Sequence, residues 1–75
     1  MKTKKQIADE SIILDENDIL TLDEFQKLVK EGTIGSSDGV GYFHDGEKET
    51  DINVWDDTLT YDDVKDYPYI CWYNK

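Results

Sequence analysis

Among the side chains that could do chemistry in this 75-residue chain, the first to weigh are its one histidine, His44, its one cysteine, Cys71, and its eighteen acids. A thiol beside an imidazole makes a nucleophile only when something lowers its pKa, and nothing in the sequence marks Cys71 as activated. It stands inside the apolar run Tyr69-Ile70-Cys71-Trp72-Tyr73, where a small buried residue is the ordinary expectation. His44 precedes Asp45-Gly46 and reads as a hairpin-turn residue. Zinc would need carboxylates to complete its shell, and no pair of ligands has the usual close spacing. Asp15-Glu16-Asn17-Asp18 begins like a calcium loop, but Ile19 and Leu20 stand where that loop needs an oxygen ligand and a glycine. The glycines form no phosphate-binding loop, since no Lys-Ser or Lys-Thr follows them. Adjacent acids such as Asp56-Asp57 and Asp62-Asp63 on a small surface stay ionised and lack the burial that tunes a general acid. No enzymatic constellation results, so the chain is expected to act without catalysis, metal or cofactor.

Two patterns remain. Between Asp38 and Asp66 lie ten acids against Lys48 and Lys65, which is eight of the ten net negative charges. Glu47, Glu49 and Asp51 alternate, so on one strand they would project from a single face at roughly 6.6 Å intervals, a way to imitate a phosphate backbone. Asp56, Asp57, Asp62, Asp63 and Asp66 would extend that row. The alternative is an ordinary solvated outer face. The second pattern is aromatic, with Trp55, Tyr61, Tyr67, Tyr69, Trp72 and Tyr73 crowding the last third. Trp72 is expected in the core, while Tyr67, Tyr69 and Tyr73 are candidates for contact with a partner.

Composition bounds the partner. Eighteen acids face eight lysines with no arginine, a net charge of -10 that repels nucleic acid and anionic lipid and favours basic protein surfaces. Acidity can also serve solubility alone. Seventy-five residues, 37% of them hydrophobic, make one small core with little room for a deep pocket beneath it. A lone cysteine permits no internal disulfide, which fits a reducing setting. The basic start Met1-Lys2-Thr3-Lys4-Lys5 is followed by no apolar run, so neither a signal peptide nor a membrane span is expected, and the location is expected to be the cytoplasm.

The elements that must position these residues are unevenly marked. Residues 1–10 read as a flexible polar tail, and 11–75 as a single α+β domain. Ser11-Ile12-Ile13-Leu14 reads as a short strand. Thr21-Leu22-Asp23-Glu24 is a capping box, Leu22, Phe25, Leu28 and Val29 share a helical face, and Gly32 ends a helix over 22–31. Val40 to His44 and Glu47 to Trp55 flank Asp45-Gly46 as a hairpin. With Gly46 left-handed in a three-residue loop, Val40, Tyr42, Ile52 and Val54 share a face; a two-residue loop would put Phe43 with Ile52 and Val54. The first register gathers more apolar residues. Gly39-Val40-Gly41 allows close backbone approach. Thr60 to Asp66 forms a capped turn stopped by Pro68, and Tyr69 to Asn74 is a strand. The plan is one main helix on an antiparallel sheet of three to four strands, in a miniature ferredoxin-like order or a simpler three-stranded one.

From Leu22 onward the chain resembles small proteins of bacteriophages and prophages. The resemblance rests on Leu22-Asp23-Glu24-Phe25, Asp38-Gly39-Val40-Gly41-Tyr42-Phe43, Asp45-Gly46 and Trp72-Tyr73-Asn74-Lys75. It implies an origin in a phage or mobile element, where acidic inhibitors of host nucleic-acid machinery, anti-CRISPR proteins included, are a recurring type. The leading expectation is therefore a DNA-mimicking inhibitor in the host cytoplasm, blocking a basic groove of a nucleic-acid-binding protein such as a CRISPR effector. The alternative is a structural or accessory module that docks or forms a homodimer through its aromatic C-terminal strand.

Overall fold

The computed structural model describes all 75 residues. Its elements are α1 (Lys4–Glu10), β1 (Ile19–Leu20), α2 (Leu22–Lys30), β2 (Gly39–His44), β3 (Glu49–Asn53), α3 (Tyr61–Val64) and β4 (Tyr69–Asn74). Three helices and a four-stranded antiparallel sheet make the fold α+β.

The expected helix forms where its signals stand. The Thr21 hydroxyl accepts from the Glu24 N–H at 3.1 Å while Glu24 Oε1 accepts from the Thr21 N–H at 2.8 Å, so two exposed donors are satisfied reciprocally. At the far end Gly32, at φ +78°, lets the Thr33 N–H return to the Leu28 carbonyl at 2.9 Å. Phe25 lies buried on the inner face of α2.

The sheet runs β1-β4-β2-β3, with every neighbouring pair antiparallel. A ferredoxin-like sheet would place the first strand centrally; here β1 is an edge and β4 is central. That corrects the ferredoxin-like expectation. β1 is also short, its two residues reaching only Cys71 and Ile70.

One face of the sheet carries Phe43, Ile70 and Trp72 under Phe25 of α2 and Val64 of α3. The other carries Cys71 with Ile19, under Ile7 and Ala8 of α1. Residues 1–10 are thus no loose tail. Thr3 Oγ1 accepts from the Gln6 N–H at 3.2 Å and Gln6 Oε1 accepts from the Thr3 N–H at 2.8 Å, a second capping box. The helix it starts turns Ile7 and Ala8 onto the sheet. Such burial is worth about 1.5–3 kcal/mol for a side chain the size of Ile7.

Ser11 to Leu14 is not a strand either. The Ser11 hydroxyl accepts from the Ile13 and Leu14 N–H groups at 3.2 and 3.0 Å, and this turn points Ile12 and Ile13 into solvent. The next polar cluster is a 3-10 turn in which Asp15 and Asp18 cap each other's backbone. The edge strand begins only at Ile19.

The hairpin has the expected place but neither expected loop. His44 pairs with Glu49, closing a four-residue loop in which Asp45 Oδ1 accepts from the Glu47 and Lys48 N–H groups, both at 2.8 Å, and Gly46 sits at φ +98°. A bulge follows, since the next pairing is Tyr42 with Asn53. The Thr50 hydroxyl donates to the Phe43 carbonyl at 2.7 Å across it. The outcome is that Phe43, not Val40 and Tyr42, packs with Ile52 and Val54. A count of apolar residues favours the other face because it assumes an unbroken strand. At Gly39 a Cβ would collide with the Tyr73 carbonyl and the Trp72 ring, so the expected close approach is present.

Candidate functional site

The charges sort by element. Five lysines form ion pairs, and each pairs with an acid of a helix or its end: Lys2 with Glu10, Lys4 with Glu24, Lys5 with Asp9, Lys27 with Glu31 and Lys65 with Asp62. No lysine pairs with an acid of the β2–β3 loop, of β3 or of the turn after it. Lys48, the one lysine on this edge, makes no ion pair. The cation that does reach it is the amino group of Met1, 3.4 Å from Glu47 Oε1.

Because β3 is a sheet edge, its acids are displayed along a border of the molecule. From the loop through the strand to the following turn these are Asp45, Glu47, Glu49, Asp51, Asp56 and Asp57. The strand portion alone is about 17 Å long. The row is not the regular alternation expected for Glu47, Glu49 and Asp51. Glu47 lies in the loop, and the bulge falls between Glu49 and Asn53, around Asp51.

Neutral donors hold several of these anions in place. The Tyr73 hydroxyl donates to Glu49. Backbone N–H groups of Lys48 and Glu47 hold the Asp45 carboxyl below the usual carboxylate range, and the Thr58 hydroxyl and N–H do the same for Asp56. A carboxylate fixed by hydrogen bonds keeps its full charge, whereas one fixed by lysine does not present it outward.

Asp62, Asp63 and Asp66 belong to α3 and its end, and α3 lies against the start of α2, where Tyr61 and Lys65 border a hollow with Thr21, Leu22 and Asp23. They stand on a separate element from the β3 acids, although Asp56 borders one hollow with Thr60 and Tyr61 at the start of α3. Asp62 pairs with Lys65, and Asp63 Oδ2 accepts from the Thr60 N–H at 2.9 Å.

The tyrosines are also divided. Tyr67 packs its ring 5.5 Å from that of Phe43, on the α2 side. Tyr69 and Tyr73 lie on the α1 side, half-buried against the Ile7, Ile19 and Cys71 cluster. The aromatic residue that projects most is Tyr61, which is 61% exposed and was not among the expected contact residues. Its place at the first position of a one-turn helix was the signal: such a position has little to pack against.

Between α1, the hairpin loop and β4 lies an open cleft of about 270 Å³. Its rim carries Glu10, Glu47 and Glu49, and Cys71, Tyr73 and His44 line it. Burial pushes the Cys71 thiol up to about 12, with Glu49 adding to the rise, which leaves no thiolate near neutrality. Burial likewise raises the Tyr73 phenol, and its bond to Glu49 raises it further. His44 is 4% exposed, and its Nδ1 accepts from the Gly46 N–H at 3.0 Å. It is the last residue of β2 rather than part of the turn. No group of three or more His, Cys, Asp or Glu side chains is arranged to hold a metal ion.

No protein-family model, curated protein or solved structure matches the chain. No helix is long and apolar enough to cross a membrane.

Proposed function

We propose that this protein is a non-enzymatic inhibitor that presents the anions of its β3 edge in place of phosphates and so occupies the basic, nucleic-acid-binding groove of another protein. One observation carries it. Five of the eight lysines pair with acids of the helices or their ends, while the acids along β3 and its flanking turns have no lysine partner, and several are immobilised by neutral donors. Long-range attraction from such an edge steers a basic partner, and pre-fixed carboxylates lose little freedom on contact. Together with the resemblance to phage and prophage proteins, this favours a host nucleic-acid-binding protein as the target, a CRISPR effector being one instance, met in the host cytoplasm. Docking through the aromatic side chains of β4 has less support, because Ile70, Cys71 and Trp72 are buried and Tyr69 and Tyr73 half-buried.

The test is capture from bacterial lysate on immobilised protein. Bound proteins should be nucleic-acid-binding ones, released by about 0.5 M salt, where the screening length falls to a few ångströms, and also by a DNA duplex. A triple variant, Glu47→Lys with Glu49→Gln and Asp51→Lys, should capture none of them; the glutamine keeps an acceptor for Tyr73. Undiminished capture by the folded triple variant, or indifference to the duplex, would remove the reading.

A further inference from the structure

The opposite border of the sheet is unfinished. β1 pairs only with Ile70 and Cys71, so Trp72, Tyr73 and Asn74 run past its end. The Lys75 N–H donates to the Asp38 carbonyl at 3.0 Å, which fixes the alternation: odd-numbered residues of β4 turn their backbone groups to β2, and even-numbered ones turn theirs to the β1 side. Continued in register, β1 would set Asp18 opposite Trp72 and Glu16 opposite Asn74. Instead the chain coils into the 3-10 turn, where the Asp18 N–H is spent on the Asp15 carbonyl at 3.0 Å. No strand therefore pairs with Trp72 or Asn74 on this side; the 3-10 turn lies beside the buried Trp72, while Asn74 is exposed.

Beside this open end is a groove of about 170 Å³ lined by Ile13, Leu14, Asp18, Trp72, Tyr73 and Asn74. Ile12 is 99% exposed and Ile13 71% exposed. They are held outward by the Ser11 turn rather than by a fraying end, for elements stand on both sides. Two adjacent β-branched apolar residues next to unpaired strand backbone are what an added strand uses: main-chain bonds for affinity and apolar contact for specificity. The rim is anionic. Asp15, Glu16 and Asp18 form no ion pair, and Asp15 and Asp18 are anchored by the bonds they make to the turn.

We propose that this end of β4 docks an extended segment of another protein in which apolar and basic residues alternate. The segment adds as a short strand along Trp72–Asn74, sets its apolar side chains against Ile12 and Ile13, and turns a lysine or arginine to Asp18. A second copy of this chain is disfavoured as occupant, because each copy carries a net charge of -10 and the same acidic rim. The surface lies across the sheet from the β3 edge, so the two sites stand or fall separately.

The probe is an acetylated, amidated heptapeptide of alternating lysine and valine, followed by amide NMR on the full chain. Shifts should centre on Ile13 and Trp72–Asn74. Ile12→Ser with Ile13→Ser, both at exposed positions, should weaken binding at least tenfold without unfolding. A version of the peptide with glutamate for lysine, and one N-methylated at alternate residues, should not bind. The proposal is overturned by any of three results: shifts centred on Glu49 and Asp51, which would be attraction to the β3 edge alone; equal affinity in the double variant; or a dimer in sedimentation that the double variant abolishes, which would make a second copy the occupant.

Discussion

His44 shows how one side chain's environment reverses its expected role. A histidine next to Asp-Gly in a sequence suggests a solvated turn, yet here it is buried between the sheet and α1 with Nδ1 engaged by Gly46. Burial lowers its pKa below 6.5; Asp45, Glu49 and Glu10 partly oppose that shift, and the Lys2 ammonium adds to it. Well above about 6.5 the imidazole is neutral in both folded and unfolded chains. As pH falls below that value the unfolded chain binds the proton first, so stability is lost down to the folded-state pKa. The urea midpoint should therefore drop between pH 7 and 5.5, ahead of any carboxylate titration, and His44→Asn should flatten that slope. A midpoint constant over this range would contradict the burial argument. Cys71 was legible where His44 was not, because an apolar run on both sides of a small residue points to the core whatever the topology.

At the level of elements, local signals worked where the chain's own chemistry decides the structure. The Thr21 and Glu24 pair, the Gly32 stop and the Pro68 break all act within a few residues, and α2, α3 and β4 stand where they point. The helix α1 carries the same signal in Thr3 and Gln6, but only one turn of apolar residues, Ile7 and Ala8, and a polar surround that resembles a tail. Its stability comes from covering Cys71 and Ile19, which local sequence does not reveal. Ile7→Ala should accordingly cost about 2–4 kcal/mol in urea denaturation, as for other buried aliphatic truncations. Ile7→Asp should in addition make Cys71 reactive to a thiol reagent at pH 8, where the intact protein should be inert. If α1 were only loosely attached, both changes would pass unnoticed. The hairpin departs from its local signals for a related reason. Its loop length and bulge depend on Thr50 reaching the Phe43 carbonyl, a contact that moves Ile52 and Val54 to the Phe43 face.

Across the whole molecule, charge outweighs every other feature. A net -10 on a body of 28 × 25 × 19 Å opposes folding through self-repulsion, and only five lysine pairs and one amino-terminal contact relieve it. Raising salt from about 0.02 to about 0.5 M should therefore raise the thermal midpoint, since screening weakens the many repulsions more than the few exposed pairs. A falling midpoint would mean that the ion pairs carry more than their exposure allows. The same salt that steadies the fold should release any partner held by the β3 edge, so the two effects can be read in one titration. Composition alone determined the sign of that charge and the absence of arginine, because these need no coordinates. Periodicity and capping determined the main helix and the last strand, because both are local. Tertiary structure alone decided that β4 is central, that the polar start of the chain is a covering helix, and that the acids from Asp45 to Asp57 follow the β3 border with Glu49 turned in to Tyr73. Each of those depends on which distant segment buries which surface, and a two-residue β1 that leaves half of β4 open is visible only once the strands have been paired.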